Sequence, residues 1–549
     1  MRLVNQDEIA ERLEAYAERI GPFGFSGAFL VGRGADIVYE RGVGYADRLT
    51  ESPITPETIF DTGSITKQFT AATILALQEA GRLRVTDTLA TFFPEAPEDK
   101  RAITVHQLLS HSAGLHFTFG HDYDPLTREG LIAAIMASKL GSVPGTAFNY
   151  SNVGYTLLAA IIELVEGCSY EQVLRERILR PAGLNETGYV LPDWDRARIA
   201  HGYDGSADWG TSLDHLWASD GPYWNLRGSG GLLSSLRDLH RWHRALRDGS
   251  VLSEESRVAL FRPNIPMTNE VSYAYGWSIS KTPRDTTVAS HHGTNGVFLA
   301  DFRRYLDEDV VVLMFTNQAT PGSAIVHPLQ QFVFGPVPEL PPPVDDHSNH
   351  LERFAGDYGS SIIVRVAADG TGLLVQPRDQ PAFSVISAIP PKYAATAAQR
   401  NAKQHEALAD AVVGDYRRWM ALQLEDTPDV RARQHVFWDG VRDTVGTVAA
   451  VNALGEVASG NGVDSYACIV GSEGALLVRI AWSHDECIQD VDAAPQLPEF
   501  RFARALDGTF INYDLRNQTV VRLRFGSDLT IEGPAGTFRV VRAMQRRPM

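Results

Sequence analysis

The sequence predicts an α/β chain of the α+β kind, with strands at both ends of its first 335 residues, helices between them, and a β-rich C-terminal region. Three observations carry this expectation. Apolar residues recur with a helical period in the middle of that stretch and alternate at its ends. Five prolines in Pro336-Val337-Pro338-Glu339-Leu340-Pro341-Pro342-Pro343 fix φ and remove backbone donors, so neither helix nor sheet continues through them. Beyond them, short alternating runs return.

Taken in order, Asp7–Ile20 reads as an amphipathic helix and Gly27–Tyr45 as a hairpin turning at Gly32-Arg33-Gly34-Ala35-Asp36. Helices follow from about Ile65 to Glu79, ending at Gly81, and at Val105–Ser110, Tyr155–Glu166 and Leu236–Arg247. Strands are expected at Tyr273–Ser280, Val297–Arg303 and Val310–Phe315. The domain reading is 1–335, a proline-rich linker 336–345, and a region 346–549 that divides into β-rich 346–394 with 497–549 and an α+β part, 395–496. Within the last, residues 395–446, rich in Ala, Gln, Arg and Glu, read as helix.

At 549 residues, 44% hydrophobic and 21% charged, the chain has the composition of a folded protein with a substantial core. Lys plus Arg number 50 against 67 Asp plus Glu, a net charge of −17, and no long basic run offsets it, which excludes nucleic acid as an expected partner. The three cysteines, Cys168, Cys468 and Cys487, form neither a disulfide framework nor a zinc pattern. Charges interrupt the first twenty residues where a signal peptide would be apolar, and no apolar run approaches the roughly 18 residues of a membrane span, so the expectation is a cytoplasmic protein with no membrane partner.

Chemistry concentrates in three segments. In Asp61-Thr62-Gly63-Ser64-Ile65-Thr66-Lys67, at a helix start, a spacing of three sets Ser64 and Lys67 on one face, where a lysine with a depressed pKa can take the serine proton. The bland alternative is a capping serine beside a surface lysine. Ser278-Ile279-Ser280-Lys281 repeats the spacing, but in an expected strand, where residues three apart face opposite ways. Tyr150-Ser151-Asn152 follows a turn-rich loop and precedes a helix: the phenol can relay a proton and the amide can orient a lysine, although either Ser151 or Asn152 can also simply cap that helix. His291-His292-Gly293-Thr294 leads into an apolar strand; its adjacent histidines point apart and lack partners at ligand spacing, so no metal and no cofactor is expected.

In this order, Ser64-x-x-Lys67, Tyr150-Ser151-Asn152 and His291-x-Gly293 resemble the three motifs of the serine β-lactamase and penicillin-recognising superfamily, in the forms of its class C β-lactamase, D-aminopeptidase and esterase branch. His111-Ser112-Ala113-Gly114-Leu115 and Gly228–Leu239 add to the resemblance, which covers about residues 6–335. The resemblance implies a β-lactamase-like mixed antiparallel sheet flanked by helices, beside an all-helical lobe. It implies that Ser64 attacks a carbonyl to form an acyl-enzyme, that Lys67 and Tyr150 move the proton, and that Asn152 orients. It also places His291, Gly293 and Thr294 on the substrate, with the amides of Ser64 and Thr294 as the oxyanion hole.

Where many such β-lactamases carry Lys-Thr-Gly, this chain has His291-His292-Gly293, which weakens the pull on a substrate carboxylate. The resulting expectation is a serine hydrolase of small molecules or short peptides, first of D-amino-acid peptides or amides. A carboxylesterase or weak β-lactamase of the same fold is the alternative, and a penicillin-binding-like sensor without turnover is the alternative of another class. The chain lacks the Gly-x-Ser-x-Gly elbow of α/β-hydrolases. Assembly is left open, a homodimer being one outcome.

Overall fold

The N-terminal hairpin forms as strands β1 (Gly27–Arg33) and β2 (Asp36–Val43), after helix α1 (Gln6–Ile20). The chain leaves the sheet for a long helical excursion and returns as β3 (Ile265–Pro266), β4 (Val271–Tyr273), β5 (Ser278–Lys281), β6 (Thr287–Thr294), β7 (Leu299–Tyr305) and β8 (Val310–Thr316). The order across this antiparallel sheet is β2-β1-β8-β7-β6-β5-β4-β3, so the first and last strands of the unit pair with each other, one strand in from the β2 edge. All of β8 and all but the last residue of β1 are buried, which is why both read as nearly continuous apolar runs, whereas edge strand β2 has no buried residue.

The computed structural model describes residues 6–205, 207–318, 323–345, 350–367, 370–387, 391–423, 428–459, 462–483, 487–494, 496–516 and 518–542. Two units emerge: Met1–Glu18 with Phe25–Pro338, and Arg19–Gly24 with Glu339–Met549. The short segment Arg19–Gly24, read from sequence as part of the first domain, groups with the second.

In the first unit the excursion supplies α2 (Thr66–Glu79), α3 (Val105–Leu109), α4 (Arg128–Ala137), α5 (Asn152–Glu166) and α6 (Leu236–Asp248). Helix α2 is buried from Thr66 to Leu75 without a break, and α5 from Val153 to Ile162, so each is wrapped on all sides. Ser151 caps α5 by accepting the Gly154 N–H at 3.0 Å, and Gly167 ends it at φ 73°. Phe69 of α2 stacks on Trp242 of α6 with ring centroids 4.8 Å apart, and both side chains are fully buried.

One strand expected from sequence is corrected. Tyr273–Ser280 is a hairpin, β4 and β5, because Ala274-Tyr275-Gly276-Trp277 closes a tight turn: the Ala274 N–H donates to Trp277 O at 2.7 Å and Gly276 takes φ 76°. The apolar run concealed the turn.

The second unit holds an eight-stranded antiparallel sheet from Gly356–Tyr358, Ile362–Val366, Gly372–Pro377, Phe500–Arg504, Phe510–Asp514, Thr519–Phe525, Asp528–Gly533 and Gly536–Val541. Its first and last strands meet through a Tyr358–Arg542 bridge and a Gly359 N–H to Val541 O bond of 2.9 Å, which closes it into a barrel. Helix Gln380–Ile386 buries Ala382, Val385 and Ile386 among Phe502, Leu523 and Ile531. Between the third and fourth barrel strands the chain inserts helices Pro391–Ala411, Arg417–Ala421 and Pro428–Val445 and a four-stranded sheet, around a core with Trp419, Trp438 and Trp482. The single helical stretch expected at 395–446 is therefore three helices, separated at Gly414 and Asp415 and again before Pro428.

Replacing Phe69 by Ala removes a ring sealed between two helices, and the expected loss is about 3–5 kcal/mol of unfolding free energy, read as a lower urea midpoint with an unchanged slope.

Candidate active site

Ser64 lies in a single 3₁₀ turn, Gly63–Ile65, that leads into α2. The turn is held from behind: Asp61 Oδ1 accepts the Gly63 N–H at 2.7 Å, and Thr66 Oγ1 donates to Gly63 O at 2.7 Å. Neither cap is Ser64, so its hydroxyl stays available to Lys67. Lys67 is fully buried. Its Nζ lies 3.0 Å from Ser64 Oγ, 2.8 Å from Asn152 Oδ1 and 2.6 Å from Ser229 O, with the Tyr150 ring centroid at 4.9 Å.

Burial lowers the Lys67 pKa from 10.5 to about 7, and the distant negative charge of Asp122 offsets this only in part. A neutral amine has two donors and one lone pair. Asn152 Oδ1 and Ser229 O are acceptors, so they take the two N–H groups and the lone pair is left facing the Ser64 hydroxyl. This arrangement suits a base that removes the serine proton. The Tyr150 phenol lies close enough to the Ser64 side chain to lower its pKa slightly, while burial raises it well above 10, so the phenol keeps its proton.

The remaining motif arrives on β6. A Cβ on Gly293 would stand 2.0 Å from Thr62 O and 2.7 Å from Ser64 N, and one on Gly63 would stand 2.4 Å from Thr294 N. Only glycines permit this approach, which brings the backbone amides of Ser64 and Thr294 together. The Thr294 hydroxyl is occupied elsewhere, donating to Phe298 O at 2.8 Å. His291 is buried and His292 exposed, as alternation in a strand requires. His291 Nδ1 donates to His292 O at 2.6 Å, so its Nε2 accepts from Tyr273 Oη at 2.9 Å, and burial pushes its pKa well below 6.5. The ring is neutral and both its nitrogens are engaged by the protein, which makes it a support for the cleft wall.

All seven residues singled out from sequence, Ser64, Lys67, Tyr150, Asn152, His291, Gly293 and Thr294, thus belong to one neighbourhood. Ser278-x-x-Lys281 lies in β5, beside β6, but its lysine takes no part in the site: Lys281 is exposed and donates to Asp285 O at 3.1 Å. Among the described residues no group of three or more His, Cys, Asp or Glu side chains is placed to hold a metal.

Several contributors lie in segments singled out from sequence but had no role assigned to them there. Ser229 acts through its carbonyl, to which side-chain identity is blind. His111, with φ 55°, accepts the Ser151 N–H on Nδ1 at 3.0 Å and lies 4.3 Å from the Tyr150 ring and 4.6 Å from that of Tyr273. Asp61 also accepts from Ser212 Oγ at 2.8 Å and Asn295 Nδ2 at 3.3 Å, and burial pushes its carboxyl up to about 6. Its place three residues before Ser64 was the one available signal.

Because Lys67 binds its proton more weakly in the folded state, the unfolded chain holds more protons between pH 7 and 10.5, and stability attributable to this residue rises with pH across that window. Compared with Lys67→Met, the native protein is expected to gain up to about 1.4 kcal/mol per pH unit there and to run parallel outside it, read from urea unfolding at several pH values.

Comparison with known proteins shows the family and the fold. The Beta-lactamase family model matches residues 21–333, more than half of the chain. A penicillin-binding protein of Bacillus subtilis (strain 168) is 27% identical over 360 residues, covering 61% of this chain and 79% of the relative. Two solved structures are similar in fold. The octameric penicillin-binding protein homologue from Pyrococcus abyssi has 22% identity and a TM-score of 0.54, covering 89% of this chain and 98% of its own. EstCE1, a hydrolase with promiscuous acyltransferase activity, has 22% identity and a TM-score of 0.52, covering 60% and 99%. With its matched segment carrying the serine, the buried lysine and the tyrosine in one cleft, the chain belongs to the β-lactamase family of serine hydrolases.

Proposed function

We propose that this protein hydrolyses small amides or esters through an acyl-enzyme on Ser64, with D-amino-acid peptides or amides as the first substrate class. The observation that supports it most is the hydrogen-bond set of Lys67, which leaves the amine's one lone pair for the serine proton. In the first half-reaction Ser64 Oγ bonds to the carbonyl carbon and its proton passes to Lys67. The C–N or C–O bond then breaks, and the leaving group takes a proton from the Tyr150 phenol, which Lys67 replenishes. The amides of Ser64 and Thr294 hold the negative oxygen of the tetrahedral intermediate. Water then attacks the ester and returns the serine.

The amide class is favoured over lactam carboxylates by the neutral state of His291, which leaves no cation on that wall to attract an anionic substrate. A fluorophosphonate probe is expected to label Ser64, and Ser64→Ala to lower turnover by roughly 10³-fold or more while leaving thermal unfolding unchanged. Absence of label on a folded protein removes the proposal. Among p-nitrophenyl acetate, nitrocefin and the D- and L-alanine p-nitroanilides, the D-anilide is expected to exceed the L-anilide, and nitrocefin to be the slowest. Faster cleavage of the L-anilide withdraws the stereochemical assignment.

The pH profile follows from Lys67. Below about pH 7 the lysine holds its own proton and cannot accept that of Ser64, so kcat/KM is expected to fall about tenfold per pH unit on an acid limb centred near 7. A limb near pH 4, as for an ordinary carboxylate, would assign the base elsewhere.

A further inference from the structure

A loop from His116 to Leu126 spans the cleft beside Ser64. Its first part is tied to the Tyr150-Ser151-Asn152 triplet: Phe117 O accepts the Asn152 N–H at 2.9 Å, and His116 O accepts from Ser151 Oγ at 2.6 Å. Its far part is tied to the opposite wall. Tyr123 stacks on His215 at 4.6 Å, packs on Trp209 at 5.8 Å, and has its hydroxyl near Ser212 and Asn295, the residue after Thr294. A compact turn fixes the apex between these anchors: His121 N–H donates to Asp124 Oδ2 at 2.8 Å, and Asn225 Nδ2 donates to His121 O at 3.0 Å.

Asp122 sits on that apex. It is half-buried, and among the described residues no side chain or amide hydrogen-bonds to its carboxylate or pairs with it in a salt bridge. Its charge is felt by Lys67, by Asp61 and by Tyr123, so it lies within Coulombic range of the residues around Ser64. Lys67 does not neutralise it, having its hydrogen bonds with Ser64, Asn152 and Ser229. With His291 and His111 both held neutral by burial, the cleft carries at Asp122 a negative charge that Lys67 and His121 offset only at a distance and that no described group pairs directly.

We infer that Asp122 is a specificity-determining residue that receives an ammonium group on the acyl part of the substrate, as in α-amino amides and esters, while Ser64 attacks the neighbouring carbonyl. The inference rests on the hydrolase reading above and narrows its substrates to those with a free amine. A carboxylate held half-desolvated and unpaired gains most from a cation that arrives with hydrogen-bond donors. The same charge repels substrates that present a carboxylate.

The test compares kcat/KM for D-alanine p-nitroanilide with that for its N-acetyl derivative at about pH 7, below the ordinary α-amino pKa of about 7.7–8.0. The native enzyme is expected to prefer the free amine. Asp122→Asn is expected to lower the ratio by about tenfold or more, mainly through KM, and Asp122→Glu to restore most of it. A ratio unchanged by Asp122→Asn, or a native preference for the acetylated substrate, overturns the inference. As a measurement on the unaltered protein, D-alaninol is expected to inhibit p-nitrophenyl acetate hydrolysis competitively and 1,2-propanediol not to; equal inhibition also overturns it. Ester turnover and Ser64 labelling need no amine, so their survival with an unchanged ratio removes the role of Asp122 alone, whereas their absence removes the hydrolase reading with it.

Discussion

The first unit is organised around one lysine amine that the fold has taken out of water without giving it a carboxylate. A protonated amine in that position is costly, since burial of an unpaired charge is among the least favourable acts in folding, and the group answers by releasing its proton near neutrality. The three oxygens around Nζ make that answer useful. Two are fixed acceptors and the third belongs to a hydroxyl, so the amine that results is aimed as well as neutral.

That aim depends on three separate parts of the chain arriving together. The 3₁₀ turn Gly63–Ile65 and the start of α2 supply Ser64 and Lys67 one turn apart, the N-terminus of α5 supplies Asn152, and the loop before α6 supplies the Ser229 carbonyl. Because α2 and α5 are enclosed on every side, neither can rotate to relieve strain at the site without opening the core. The end of β6 is set against the Ser64 turn by glycines on both sides of the contact, Gly63 and Gly293, where any Cβ would strike backbone. The amides of Ser64 and Thr294 are thus positioned by an absence of side chains.

How much of this was legible follows from how each part encodes itself. Ser64, Lys67, Tyr150 and Asn152 could be read because their chemistry resides in side chains at short spacings, and because Ser151 takes the capping duty that would otherwise explain the triplet away. The sheet could be read where strands are buried on both faces, as β1 and β8 are. It could not be read at Tyr273–Ser280, where apolar residues continue through a turn that only Gly276 betrays. Ser229 was silent because a carbonyl has no letter of its own. Asp122 and Tyr123 were silent because a loop has no period, and their meaning comes from Ser212 and Asn295, which lie about 90 and 170 residues away. In the second unit the alternation was visible, but closure of the barrel through Tyr358 and Arg542 joins its first strand to its last, a pairing at a separation that local pattern does not report.

The catalytic set and the polarity of the cleft are therefore independent features of this fold. In the proposed reaction Ser64, Lys67, Tyr150 and Asn152 act on the carbonyl and its proton, and would serve an ester, an amide or a lactam alike. Which of these arrives is decided by the walls. Here the β6 wall offers a histidine whose two nitrogens are consumed by Tyr273 and a carbonyl, and the opposing loop offers a carboxylate with no hydrogen-bond or salt-bridge partner among the described residues. A cleft with a cation on β6 favours acids; in the proposed reading, one whose unpaired charge among the described residues is that of Asp122 favours amines, even though the same atoms perform the acyl transfer. Specificity in this arrangement is reached by changing the sign of the field around a fixed nucleophile, a change that needs no movement of the serine, the lysine or the helices that carry them.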